Sequence, residues 1–169
     1  MDGPREREGD DGQTEADDEM RARSIILRRL DRAPASRAQL VALAARKDIP
    51  AEIAARVLDR FEEVGLVDDS EYAAMLVRTR HRERQLAKRA LRVELQRKGI
   101  READIGPALA QVSEADELAA ARAVVAKKLR QPSTANARRE VQLRRLFGLL
   151  GRKGFSSQIA YRVVNEALQ

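Results

Sequence analysis

Apolar positions along the chain fall into one helical layout that returns three times. Leu40, Ala44, Lys47, Asp48 and Ile49 are matched by Leu91, Leu95, Lys98, Gly99 and Ile100, and again by Leu146, Leu150, Lys153, Gly154 and Phe155. In each set the first two residues stand four apart, on one helix face. A second apolar pair at the same spacing follows each set: Ile53 with Val57, Ile105 with Leu109, and Ile159 with Val163. A further helical stretch precedes each, over Ala22 to Leu30, Glu71 to Arg82 and Glu114 to Arg130. The pattern predicts nine helices in three three-helix repeats. One such unit buries little alone, so the repeats are expected to stack into an elongated, curved helical array with a concave face.

Start and stop signals agree with this division. Gly99 and Gly154 suit the left-handed position after a helix, and Lys98 and Lys153 face its negative carbonyl end. The first copy carries Asp48 instead of glycine, and Pro50 opens its next helix. Ser36 with Gln39 has capping-box spacing, Gly65 can end the third helix, and Asp69, Ser113 and Ser156 can cap later ones. Pro107 is out of place inside a helix, where it removes a donor, so a kink or a late start is expected there.

Composition sharpens this into an all-α protein: only 3% of the residues are aromatic, while helix-compatible Ala, Leu, Arg, Glu and Gln dominate. The 169 residues suffice for one domain or a short array of small units. The absence of cysteine excludes disulfides and thiolate metal sites. The start is polar and acidic, and no apolar run approaches the roughly 18 residues of a membrane span. No membrane association and a cytoplasmic location are therefore expected.

Charge divides the chain. Residues 1–19 hold nine acids against Arg5 and Arg7, a local charge of −7 within a total of +6. With no apolar periodicity, this tail is expected to be disordered. The domain expectation is a tail at 1–19 and helical repeats at 20–67, 68–112 and 113–169. The basic remainder points to a polyanionic partner.

Catalytic chemistry is scarce. His81 is the sole histidine, and no serine–histidine–aspartate set is credible, so no enzyme activity and no cofactor are expected. His81 lies among arginines and reads as a solvated surface residue. The acidic pairs Glu62–Glu63 and Asp68–Asp69 are explained by solvation and capping rather than by a metal. The run Gly148-Leu-Leu-Gly151-Arg-Lys-Gly154 lacks phosphate-loop spacing and a preceding strand, and reads as a glycine-relieved helix packed closely on a neighbour.

The densest basic stretch comprises Arg78, Arg80, Arg82, Arg84, Lys88, Arg89, Arg92, Arg97, Lys98 and Arg101 against Glu83 and Glu94, a local +8. A charge run is usually a solvated face. This one is lopsided enough to make the first nine of these cations the candidate partner-binding residues, for acidic protein surface or DNA phosphate.

The run Gly65-Leu66-Val67-Asp68-Asp69-Ser70-Glu71-Tyr72-Ala73 crosses from the first repeat to the second. It resembles the glycine-apolar-apolar-Asp-Asp-x-x-aromatic-Ala segment of the RecX family. Arg78, Arg80, Glu94-Leu95, Lys98-Gly99-Ile100 and Lys153-Gly154-Phe155 also stand where that family's pattern places them. The resemblance covers about residues 20–168. One departure is Ala87, where the family commonly has glycine; helix is expected to continue there from Arg82 toward Leu91. The resemblance implies a monomeric negative regulator of recombination, DNA repair and the SOS response. Such a protein binds RecA, as monomer or filament, inhibits its ATPase and strand exchange, and makes weak sequence-independent DNA contact. Two other readings are compatible with the sequence. One is a helix-turn-helix DNA-binding regulator, for which no single recognition helix stands out. The other is a helical scaffold without a nucleic-acid role.

Overall fold

The break in each copy of the repeated layout is made by a residue in the left-handed backbone region: Asp48 at φ 57°, Gly99 at 75° and Gly154 at 85°, with Gly65 at 73° after the third helix. Aspartate reaches this region more readily than most side chains, which explains how the first copy manages without glycine. The computed structural model describes residues 8–169, and among them it contains ten helices and no strand.

These are α1 (Glu8–Leu30), α2 (Arg37–Ala45), α3 (Ala51–Glu63), α4 (Asp69–Arg84), α5 (Lys88–Arg97), α6 (Glu102–Ala110), α7 (Glu114–Leu129), α8 (Pro132–Ala135), α9 (Arg139–Arg152) and α10 (Ser157–Leu168). The nine expected helices are all present. The tenth, α8, is a four-residue turn that Pro132 opens at the first helical position, where its missing N–H costs nothing.

The chain divides into two compact units, Met1–Tyr72 and Ala73–Gln169. In the first, α1, α2 and α3 pack on one another around Ile26, Leu40, Ile53, Leu58 and Phe61. Arg37 at the start of α2 reaches Asp59 at 2.6 Å and Glu62 at 2.8 Å on α3. In the second unit α5 packs on α6, while α7, α9 and α10 pack together with α8. There Val124, Val125, Leu146, Leu150, Phe155, Val163 and Val164 form a common core that also takes in Ala87. The leucines of the repeated layout, Leu40, Leu91, Leu95, Leu146 and Leu150, are all fully buried. Burial of each such side chain stabilises its helix by about 1.5–3 kcal/mol.

The caps match the sequence at three helices. Ser36 with Gln39 and Ser113 with Asp116 form complete capping boxes, and Ser156 accepts the Ile159 N–H. At α4 the cap is Asp68, not Asp69: its Oδ1 accepts the Glu71 N–H at 2.9 Å. Asp69 instead accepts the Arg37 N–H at 2.8 Å, because it lies one residue inside the helix and faces the start of α2.

Other expectations are revised. The first seven residues of the acidic tail lie outside the described residues, but from Glu8 onward the chain is helical as part of α1. Carboxylates at a helix N-terminus complement its partial positive charge. Glu15 also pairs with Arg56 of α3, and Asp18 pairs with Arg21 at 2.7 Å. Local charge thus extends the helix where no apolar stripe does. Pro107 lies within α6, which starts at Glu102, so it does not delay the helix.

The helix expected through Ala87 is interrupted. Gln85 adopts φ 48°, and α5 restarts only after Ala87, at Lys88. Contacts distant in sequence hold this turn. Among the described residues no helix is long and apolar enough to cross a membrane.

Candidate partner-binding surface

The nine candidate cations lie on α4 and α5 and their ends, all within the second unit. On α4 the buried residues Ala73, Leu76 and Val77 set the inner face. On α5, Leu91 and Leu95 do the same. Alternating arginines cannot all escape such a face, and the structure sorts them into two groups.

The first group braces the unit. Arg80 Nε pairs with Glu94 Oε1 at 2.8 Å, both side chains being roughly three-quarters covered (28% and 23% exposed), and so ties α4 to α5. Arg92 pairs with Glu102 and ties α5 to α6. Arg78 donates to Gln111 Oε1 at 3.3 Å at the end of α6. These three side chains have intramolecular partners. Arg80 in particular is held where charge reversal would disturb the fold.

The second group faces outward. Arg82, Arg84, Arg89 and Arg97 are exposed, whereas Lys88 and Lys98 are half-buried. Arg82 approaches its neighbour Glu83 at 3.8 Å with both side chains largely in solvent, a geometry that contributes little. The sequence-predicted set is therefore not one uniform stripe. It is a braced row, Arg78, Arg80 and Arg92, and a second row whose arginines are exposed.

The turn between α4 and α5 is fixed from several sides. Ala87 N–H donates to the Lys153 carbonyl at 2.9 Å, and Lys153 Nζ returns a hydrogen bond to the Arg84 carbonyl. Lys88 N–H donates to Glu117 Oε1 at 2.9 Å. His81 Nδ1 lies 2.9 Å from the Leu86 carbonyl oxygen, so the ring is half-buried against the turn rather than solvated. The half-buried Lys153 ammonium is pulled below the ordinary lysine range, first by desolvation and then by the Lys127 and Arg84 charges. Sequence reasoning placed Lys153 at a helix end but could not show that it reaches a turn 69 residues away.

Gly154 carries the close approach expected of the glycine-rich run. A Cβ there would lie 2.6 Å from the Ala90 backbone nitrogen. Gly151 faces open space and Gly148 meets only the tip of Arg152 at 3.3 Å, so α9 itself does not pack through its glycines. The acidic pairs act as partners and caps: Glu62 holds Arg37, and Asp68 and Asp69 accept backbone N–H groups. No cluster of potential metal ligands occurs among the described residues.

Comparison with known proteins places this arrangement. Residues 68–109 match the model of the RecX second three-helix domain, and residues 114–164 that of the RecX third three-helix domain. The chain is 44% identical to the regulatory protein RecX of Thermobifida fusca (strain YX), covering 96% of this chain and 88% of that one. It is 37% identical to the regulatory protein RecX of Mycolicibacterium smegmatis (strain ATCC 700084 / mc(2)155), over 95% and 87% of the two chains. A crystal structure of regulatory protein RecX superposes with a TM-score of 0.81 at 26% identity, over 98% of this chain and 81% of that one. The crystal structure of RecX from Lactobacillus salivarius gives 0.78 at 20% identity, over 89% and 97%, and shows the shared fold. By these matches across nearly its whole length, the chain belongs to the RecX family of regulatory proteins.

Proposed function

We propose that this chain is a negative modulator of RecA, which binds the recombinase and its DNA filament and inhibits ATP hydrolysis and strand exchange without catalysing a reaction itself. The observation that carries this reading is the 44% identity to a RecX regulatory protein over 96% of the chain. The row of exposed cations, Arg82, Arg84, Arg89 and Arg97, supplies a surface that can meet carboxylates on a protein partner or phosphates on its DNA. The braced row, Arg78, Arg80 and Arg92, holds α4, α5 and α6 in position for it. Lys88 and Lys98 complete the surface at the two ends of α5.

In this reading the protein acts as a monomer in the cytoplasm, needs no cofactor, and is organised as repeats over 20–67, 68–112 and 113–169. Contact with DNA is weak and independent of base sequence, because a charged face without a groove-reading helix senses the phosphate backbone alone. The test is the rate of DNA-dependent ATP hydrolysis by RecA as this protein is added, with the charge-reversed triple variant R82E/R89E/R97E alongside.

A further inference from the structure

Three cations from three helices meet on one side of the second unit. Arg84 ends α4, Lys127 lies in the last turn of α7, and Lys153 follows α9. The packing of α7 on α9 and the bond from Lys153 Nζ to the Arg84 carbonyl bring them together. None of the three makes an ion pair among the described residues. Lys128, one residue away, instead donates to Gln131 at 2.7 Å.

Like charges held together without a carboxylate are unfavourable, and the proton affinity of Lys153 is lowered first by desolvation and then by the Lys127 and Arg84 charges. The carbonyl ends of the helices lessen it in part. One of the three Lys153 N–H donors is used on Arg84, which leaves two for a ligand. A compact anion with several acceptor oxygens matches two lysine point charges and an arginine better than a planar carboxylate does, since the latter is recognised by a single forked guanidinium.

We propose that Arg84, Lys127 and Lys153 form a phosphate-binding point for the backbone of single-stranded nucleic acid. It lies partly outside the α4–α5 cation rows, since Lys127 and Lys153 belong to the third repeat. The inference shares the premise of a polyanion-binding surface with the proposed function, but does not depend on RecA.

Binding of a labelled oligothymidylate to the full chain, followed by fluorescence anisotropy over a range of salt, tests it. Lys127→Gln should weaken binding about five- to tenfold at low salt and make the logarithmic salt dependence shallower by about 0.7. Lys128→Gln, which removes the same charge one residue away, should change affinity less than twofold. Inorganic phosphate at matched ionic strength should compete only weakly, because the strand engages further cations. Strong competition would assign the point to free phosphate and overturn the nucleic-acid reading.

A second measurement does not depend on any variant's folding: the Lys153 side-chain NMR signal followed against pH. Its pKa should rise when the oligonucleotide is added. Equal losses in the two variants, no oligonucleotide binding by the wild type, or an unmoved Lys153 titration would each overturn the proposal. Oligonucleotide binding by a wild-type protein that leaves RecA unaffected would remove the proposed function and leave this site standing.

Discussion

The backbone N–H of Lys88 donates to the carboxylate of Glu117 at 2.9 Å, so α5, which has no capping side chain at Ala87, is capped by an acid in the first turn of α7. The first unit repeats the device: the N–H of Arg37 at the start of α2 donates to Asp69 in the first turn of α4, at 2.8 Å. In both cases the acid belongs to the helix that opens the following repeat. At α5 a helix start left without a local cap thereby becomes a contact between repeats, whereas at α2 the distant acid adds to a local capping box.

Glu117→Ala should therefore destabilise the protein by about 1 kcal/mol, the usual worth of an N-cap. Asp69→Ala should cost less, because Ser36 and Gln39 cap α2 as well. Urea unfolding of both variants checks the order, and an equal or reversed cost would show that these bonds do not act as caps.

Gly154 and Gly65 share a positive φ but not their surroundings. At Gly65 a Cβ would meet open space, whereas at Gly154 it would strike the Ala90 backbone. Gly65→Ala should cost about 1 kcal/mol for the backbone conformation alone. Gly154→Ala should cost at least about twice that, since Ala90 sits on α5 and cannot yield as a flexible side chain would. Thermal unfolding of the pair distinguishes the two contributions.

The capping box at α7 predicts a pH dependence. Hydrogen bonds from the Ser113 side chain and then its backbone hold the Asp116 carboxyl below its ordinary range. An acid with a depressed folded pKa contributes stability that is present above its unfolded value and is lost as pH falls through the folded one. Asp116→Asn should thus be less stable than the wild type at neutral pH, with the gap closing on acidification below the ordinary aspartate range. Melting temperatures measured across that range test the sign.

Much of the fold is legible in the sequence where the signal is local. The Lys-Gly breaks, the serine caps and the repeated leucines depend on residues within a turn or two of one another, and the structure has all of them. What escaped depends on contacts distant in sequence or on charge alone. The break at Gln85 has neither glycine nor proline to mark it. Glu117, His81 and Lys153 hold it in place. Residues 8–19 lack an apolar stripe, and their helix follows from the dipole and from Glu15 meeting Arg56. For the candidate surface, sequence gave the density of cations but not their division. Only the positions of Glu94, Glu102 and Gln111 show that Arg80, Arg92 and Arg78 are engaged within the unit as braces.

That division determines which charges to reverse. Arg82, Arg89 and Arg97 are exposed and leave the braces intact, so the R82E/R89E/R97E variant should keep its helicity and melting temperature. The most direct measurement is the steady-state ATPase rate of RecA on single-stranded DNA at fixed salt, with increasing wild-type or R82E/R89E/R97E protein. The wild type should suppress the rate progressively without hydrolysing ATP itself, and the variant should require several-fold more protein for the same effect. A RecA rate unchanged at saturating excess of the wild type would contradict the proposed function, and equal inhibition by both proteins would contradict the assignment of the binding face.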